Sequence, residues 1–230
     1  MIETFDDGAT LAAAATGAVV AALEAGLRAH GSASLAATGG RSPGPIYDAL
    51  SVIPLDWARV HVTLTDERWV DPTSPDSNER LVRERLLQGR AADARFIGLH
   101  GHDATPEAAA AHATAQVAAL PALDAVLLGM GEDGHVASLF PGSPALDLGL
   151  DPKAPACIAV PQGQGGSAPA QARLSLTIRP LTNAAQVLIL ISGDEKRRVM
   201  ERALAGGDPR QLPVCAVLQA APAVRILWTA

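Results

Sequence analysis

Short, uninterrupted apolar runs recur along this chain, and most of them break off into glycine or a cluster of polar residues. They read "SLAAT" (34–38), "VHVTLT" (60–65), "FIGLH" (96–100), "DAVLLGMG" (124–131), "ACIAV" (156–160), "ARLSLTI" (172–178), "QVLILIS" (186–192), "VCAVL" (214–218) and "VRILW" (224–228). Runs of this length without alternation suit strands covered on both faces. Between them lie segments of helical period. Leu11, Val19, Val20, Leu23 and Leu27 share one face before "HGS" ends the helix. Ser77 or Asp76 caps a second helix whose Leu81, Leu86 and Leu87 face inward, and further helices start near Pro106, Pro180 and Asp194. Strand–helix alternation implies right-handed crossovers. The expected fold is α/β, a mostly parallel Rossmann-like sheet with helices on both faces, plus a small additional β-containing region.

Composition narrows the function. Hydrophobic residues make up 48% of the 230 and aromatics 3%, so the core is built from Ala, Val, Leu and Ile. One domain spanning 1–230 accommodates this, and the loop "PQGQGGSAPAQA" (161–172) reads as an exposed excursion, not a linker. The net charge of −6 argues against nucleic acid, whose phosphates need clustered Lys and Arg. The N-terminus "MIETFDDGATLAAAA" begins acidic, unlike a secretory signal. No apolar run is expected to reach the ~18 residues of a membrane span. Cys157 and Cys215 lie in apolar segments and read as buried free thiols. These features point to the cytoplasm.

In open parallel sheets ligands bind beyond the carboxyl ends of the strands. Polar clusters stand at such ends: "TGGRSP" after the first apolar run, "DERWVD" after the second, and "GMGEDGH" after the fourth. In "TGGRSP", glycines allow close backbone approach and a following helix start favours anions; an ordinary strand–helix turn set by Pro43 and Pro45 is the plain alternative. It is neither G-x-G-x-x-G nor a Walker sequence, so no nucleotide is implied. In "DERWV", Arg68 can fork onto a phosphate while Asp66 and Glu67 hold the guanidinium or bind hydroxyls. A solvated loop with exposed ion pairs is the alternative there. In "ISGDEKRRVM", Lys196, one of only two lysines beside Lys153, can reach an anion at the same sheet edge.

"GMGEDGHVASLFP" sets Glu132 and Asp133 beside His135. One histidine with two carboxylates on a turn is a poor zinc constellation, and no G-x-S-x-G elbow supports a serine triad. A lone general base or acid remains, a role that suits histidine, whose side chain ordinarily titrates near 6.5. His30, His61, His100, His102 and His112 lack such a setting and read as structural or surface residues.

Taken in order, "TGGRSP", "WARVHVTLTDERWV", "SN" (77–78), "GMGEDGHVASLFPG", "RLSLT" and "ISGDEKRRV" resemble the 6-phosphogluconolactonase family nearly end to end. That family often reads "SGG" and "STP" where this chain has "TGG" and "RSP". Glucosamine-6-phosphate deaminases share the "DGH" element, but they continue "IAFNEP" where "VASLFP" stands here and carry tyrosine at the position of Arg68.

The resemblance implies hydrolysis of 6-phosphoglucono-δ-lactone without metal, nucleotide or other cofactor, by a monomer or homodimer with no nucleic-acid or membrane partner. It implies His135 as base, with Asp133 or Glu132 orienting the imidazole. It implies a substrate site drawn from Thr38, Gly39, Gly40, Ser42, Asp66, Glu67, Arg68, Asn78, Gly131, Arg173 and Lys196, in which Arg173 alternatively serves a structural ion pair. A deaminase or isomerase on the same fold, and a non-catalytic sugar-phosphate sensor, are the rival readings.

Overall fold

The computed structural model describes residues 1–101, 103–120, 122–163 and 169–230. His102 and the middle of the 161–172 loop therefore lie outside the described residues.

The chain opens with a strand, β1 (Ile2–Phe5), that the acidic N-terminus did not suggest. Asp7 caps α1 (Gly8–His30) through a capping box with Thr10. β2 (Ala33–Ala37) is buried at every residue and leads to α2 (Gly44–Ser51), begun by Pro43. β3 (Val60–Leu64) is followed at once by the short β4 (Asp66–Arg68). Ser77 caps α3 (Asn78–Arg85), its side chain accepting from the Arg80 amide at 3.2 Å. β5 (Arg95–Ile97) precedes α4 (Pro106–Ala118), capped by Thr105. Then come β6 (Leu123–Gly129), α5 (Leu146–Leu150), β7 (Cys157–Val160), β8 (Arg173–Leu176), α6 (Ile178–Thr182), β9 (Ala184–Ser192), α7 (Asp194–Leu204), α8 (Val214–Ala220) and β10 (Val224–Thr229).

Seven strands form one sheet in the order β1-β10-β9-β6-β2-β3-β5, and every pairing is parallel. The second sheet, β4-β8-β7, is antiparallel. This is the expected α/β architecture, with helices flanking the large sheet and a small β region beside it. β2 has β3 on one side and β6 on the other, so the chain changes direction there. That switch point leaves a crevice at the strands' carboxyl ends.

Three sequence expectations change. "VCAVL" forms α8, not a strand: buried Val214, Cys215 and Val217 follow helical spacing, and Pro213 at the N-cap supplies a helical φ of −57°. "FIGLH" keeps strand structure only through Ile97, since the edge strand stops before Gly98. α1, at 23 residues, is long and apolar enough to cross a membrane, contrary to the expectation that no run would be. Its Leu11, Ala12, Ala15, Val19, Leu23 and Gly26 are buried against the rest of the fold, as befits a core helix. Of α3's three leucine candidates only Leu86 is fully buried, and Val82 takes the inward position. Cys157 and Cys215 are buried free thiols.

Small side-chain devices close the edges. Thr114 on α4 covers the free edge of β7, its hydroxyl exchanging 3.0 Å hydrogen bonds with both the carbonyl and the amide of Cys157. At the other end Arg225 on β10 grips Glu3 on β1 with paired bonds of 2.6 and 2.7 Å. The guanidinium holds the Glu3 carboxyl below its ordinary value. A carboxyl depressed in the folded state stabilises above its unfolded pKa, and the contribution fades as pH falls through the folded value. Both side chains are more than a third exposed, which limits the pair to under about 1 kcal/mol. Glu3→Gln should therefore lower unfolding free energy by less than about 1 kcal/mol at pH 7, and urea melts of the two proteins should converge as the solution is made acid.

Candidate active site

The crevice at the switch point opens as a cleft of about 620 Å³. It is lined by Thr38, Gly39, Gly40 and Ser42 beyond β2, Asp66 and Arg68 on β4, and Asn78 at the start of α3. Gly131 and His135 beyond β6, Arg173 on β8 and Lys196 on α7 complete the set. Eleven of the fourteen residues singled out from the sequence thus meet in one place. The three that do not line it are Glu67, Glu132 and Asp133.

Glu67 faces away because successive strand residues alternate sides. It is 1% exposed, and its carboxylate accepts from the amides of Arg68, Asn78 and Glu79 and from the Ser77 hydroxyl at 2.7–2.9 Å. Burial pushes its pKa up while these four donors pull it back. Its expected part in substrate binding is accordingly corrected: it anchors the N-terminus of α3 to β4.

Asp133 sits behind the histidine. Its Oδ1 lies 2.6 Å from His135 Nδ1 and accepts from the His135 amide at 3.1 Å. A carboxylate accepts, so in the neutral imidazole this contact places the proton on Nδ1 and the lone pair on Nε2. Glu132, the other candidate, is exposed. Gly131 makes the pair possible: a Cβ there would collide with the imidazole and stand 2.5 Å from Asp133 Oδ1. The turn is closed by a 2.9 Å bond from the Gly131 amide to the His135 carbonyl. Phe140 lies against the imidazole, ring centroids 4.4 Å apart.

Past His135, Ala137 adopts φ 49°, the one non-glycine among the described residues in the left-handed region. That conformation costs about 1–2 kcal/mol, so its neighbours must enforce it. Ala137, Phe140 and Met130 also line the cleft, as does Arg41. Sequence reasoning quoted these residues within motifs without assigning them; only the motif spacing signalled them.

The cationic side is built on β4 and β8, where Arg68 stands directly opposite Arg173. Like charges so paired repel. Arg68 Nη1 donates to the Asp76 carbonyl, and Arg173 Nη1 lies 3.7 Å from Asp66 Oδ2. Burial presses the Arg173 pKa down, and Asp66 partly restores it; the group stays cationic. In both arginines Nε is buried with no hydrogen-bond partner among the described residues. Lys196 has no carboxylate partner among the described residues. Arg173 also reaches Phe140, its Cζ 5.9 Å from the ring centroid, so one phenyl ring lies against both the guanidinium and the His135 imidazole.

The loop "TGGRSP" is pinned from below. Asn78 donates to the Asp66 carbonyl at 2.8 Å and fills the space that a side chain at Gly39 would need. The Tyr47 hydroxyl, fully buried, donates to the Thr38 carbonyl at 2.6 Å.

Fold and cleft together define an α/β protein that presents anion-seeking cations and a carboxylate-oriented histidine to one small molecule. Residues 6–228 match the family described as glucosamine-6-phosphate isomerases/6-phosphogluconolactonase. A 6-phosphogluconolactonase of Rhizobium meliloti is 42% identical over 97% of this chain and 96% of its own length. One from Pseudomonas aeruginosa is 46% identical over 88% and 84% respectively. The crystal structure of a 6-phosphogluconolactonase from Shewanella baltica superposes with a TM-score of 0.93 at 36% identity, covering 100% of this chain and 97% of that one. The chain belongs to the glucosamine-6-phosphate isomerase/6-phosphogluconolactonase family.

The Gly131–His135 packing is open to a direct check. Gly131→Ala should abolish the exchange-protected imidazole N–H signal that the Asp133 bond gives in proton NMR, while circular dichroism stays that of the parent. An unchanged N–H signal in that variant would contradict the packing described.

Proposed function

We propose that this protein hydrolyses 6-phospho-D-glucono-1,5-lactone to 6-phospho-D-gluconate in the oxidative pentose phosphate pathway. The observation that carries the proposal is the set of three cations, Arg68, Arg173 and Lys196, in the same cleft as a histidine whose Nδ1 lies 2.6 Å from Asp133 Oδ1.

A phosphate dianion needs cations and N–H donors. Arg68, Arg173 and Lys196 supply charge in this account, and the Gly39–Gly40 backbone with the hydroxyls of Thr38 and Ser42 supplies neutral donors. Asn78 and Gly131 shape the walls. Anchoring the phosphate orients the lactone ring, which converts binding into proximity at the reacting carbon. His135 Nε2 then takes a proton from water as the oxygen attacks the lactone carbonyl. The tetrahedral intermediate collapses with cleavage of the ring C–O bond, and the former ring oxygen leaves as a hydroxyl after accepting from the imidazolium the proton that His135 took from water. Asp133 acts by holding the imidazole and stabilising the charge it acquires. The chain acts as one domain over 1–230 and, with buried free thiols and a packed α1, in the cytoplasm.

Lactone opening is followed by coupling the product to 6-phosphogluconate dehydrogenase, with spontaneous hydrolysis subtracted. His135→Ala should lower kcat by about 10²–10⁴-fold and leave KM near the parent value, because the phosphate contacts survive. Near-parental turnover in that variant would remove His135 as base. Arg68→Ala should chiefly raise KM, by roughly 10- to 100-fold, the equivalent of one charge-assisted hydrogen bond; an unchanged KM would exclude Arg68 from the phosphate site. Ammonia release from glucosamine-6-phosphate, with no lactone turnover, would replace this proposal by the deaminase reading.

A further inference from the structure

One buried connection in the molecule joins the histidine turn to the arginine-bearing strands, and the reaction chemistry leaves it unused. Ser138 is 1% exposed. Its hydroxyl donates to Asp66 Oδ2 at 2.6 Å, and its amide donates to Ser175 Oγ at 3.1 Å. Asp66 and Ser175 are themselves cross-strand partners on β4 and β8, two pairs along from Arg68 and Arg173.

The bonds given above to Asp133 and Gly131 fix the imidazole within its own turn. They do nothing to fix that turn against the antiparallel ribbon. Ser138 does, at two points on two strands. It follows directly on Ala137, whose left-handed backbone persists only where the surroundings over-determine it. We infer that Ser138 is a positioning residue for catalysis, holding the His135 turn at a set distance from the arginine pair through Asp66 and Ser175. The inference rests on the lactonase proposal, since it assigns the base and the anion site to one substrate.

Without the Ser138 hydroxyl the turn loses its tie to Asp66, and the left-handed residue relaxes. The phosphate still binds, because both arginines keep their strands. The loss therefore falls on kcat, where a misplacement of the base by about 1 Å can cost up to 10²-fold. A role in folding alone would lower the melting temperature and leave turnover per folded molecule untouched.

The experiment measures kcat and KM per folded enzyme for the full chain and for Ser138→Ala. The expected result is a fall in kcat of roughly tenfold or more with KM within about threefold. Adding Ala137→Gly, which removes the backbone penalty at that position, should restore part of the lost kcat. Parental kcat in Ser138→Ala, a loss confined to KM, or a double variant no faster than the single one would each overturn the inference. If Ser138→Ala is too poorly folded to assay, Ser175→Ala removes the acceptor of the Ser138 amide and should show the same kcat-selective loss; parental kcat there would equally overturn it. A parent protein with no lactone turnover sinks the lactonase proposal itself, whereas a turning-over parent matched by its variants sinks only this inference.

Discussion

The period of two in a three-residue strand sorts this site. Along β4, Asp66 and Arg68 face the cleft while Glu67, between them, faces α3. Antiparallel pairing with β8 repeats the sorting, setting Arg68 against Arg173 and Asp66 against Ser175. Two guanidinium groups side by side, each with a buried Nε that has no hydrogen-bond partner among the described residues, form an unfavourable arrangement in isolation. In the proposed function an anion bound beside them relieves the repulsion. The ribbon tolerates the strain because Glu67, on the other face, locks β4 to the N-terminus of α3 with three hydrogen bonds, from Ser77, Asn78 and Glu79.

The other parts of the cleft are arranged around that ribbon. Asn78, the first residue of α3, holds the Asp66 carbonyl and occupies the space above Gly39. The glycine loop beyond β2 is thereby fitted to the same helix that Glu67 anchors. From the opposite side Phe140 contacts both the imidazole and Arg173. The histidine turn depends on a glycine with no room for a side chain and on an alanine held in a glycine-like conformation. Binding groups and base are thus positioned by packing and by buried hydrogen bonds, which is how a rigid scaffold supplies orientation to a reactive ester.

Much of this was legible in the residues. Uninterrupted apolar runs pointed to the class of sheet, because strands covered on both faces are commonly written that way. The polar clusters at their ends marked the cleft, because parallel strands carry their carboxyl ends to one edge. Local chemistry was less legible. "VCAVL" is as β-branched as a strand, and only the buried spacing in three dimensions, set off by Pro213, makes it helical. β1 is too short to show a pattern and is held by pairing with a strand more than two hundred residues away. Glu67 looked like its neighbours because "DER" is three charges in a row until a strand assigns them to faces. Asp133 and Glu132 were equivalent on paper; the geometry of a turn closed by Gly131 selects Asp133.

The central claim is that one cleft holds the phosphate on the β4–β8 ribbon while presenting the reacting carbon to His135. A crystal structure with 6-phosphogluconate bound tests it most directly. The account predicts phosphate oxygens within about 3 Å of Arg68 and Arg173 nitrogens, and the sugar-acid carboxylate at hydrogen-bonding distance from His135 Nε2. A phosphate seated against His135, or a product bound away from the arginine pair, would contradict it.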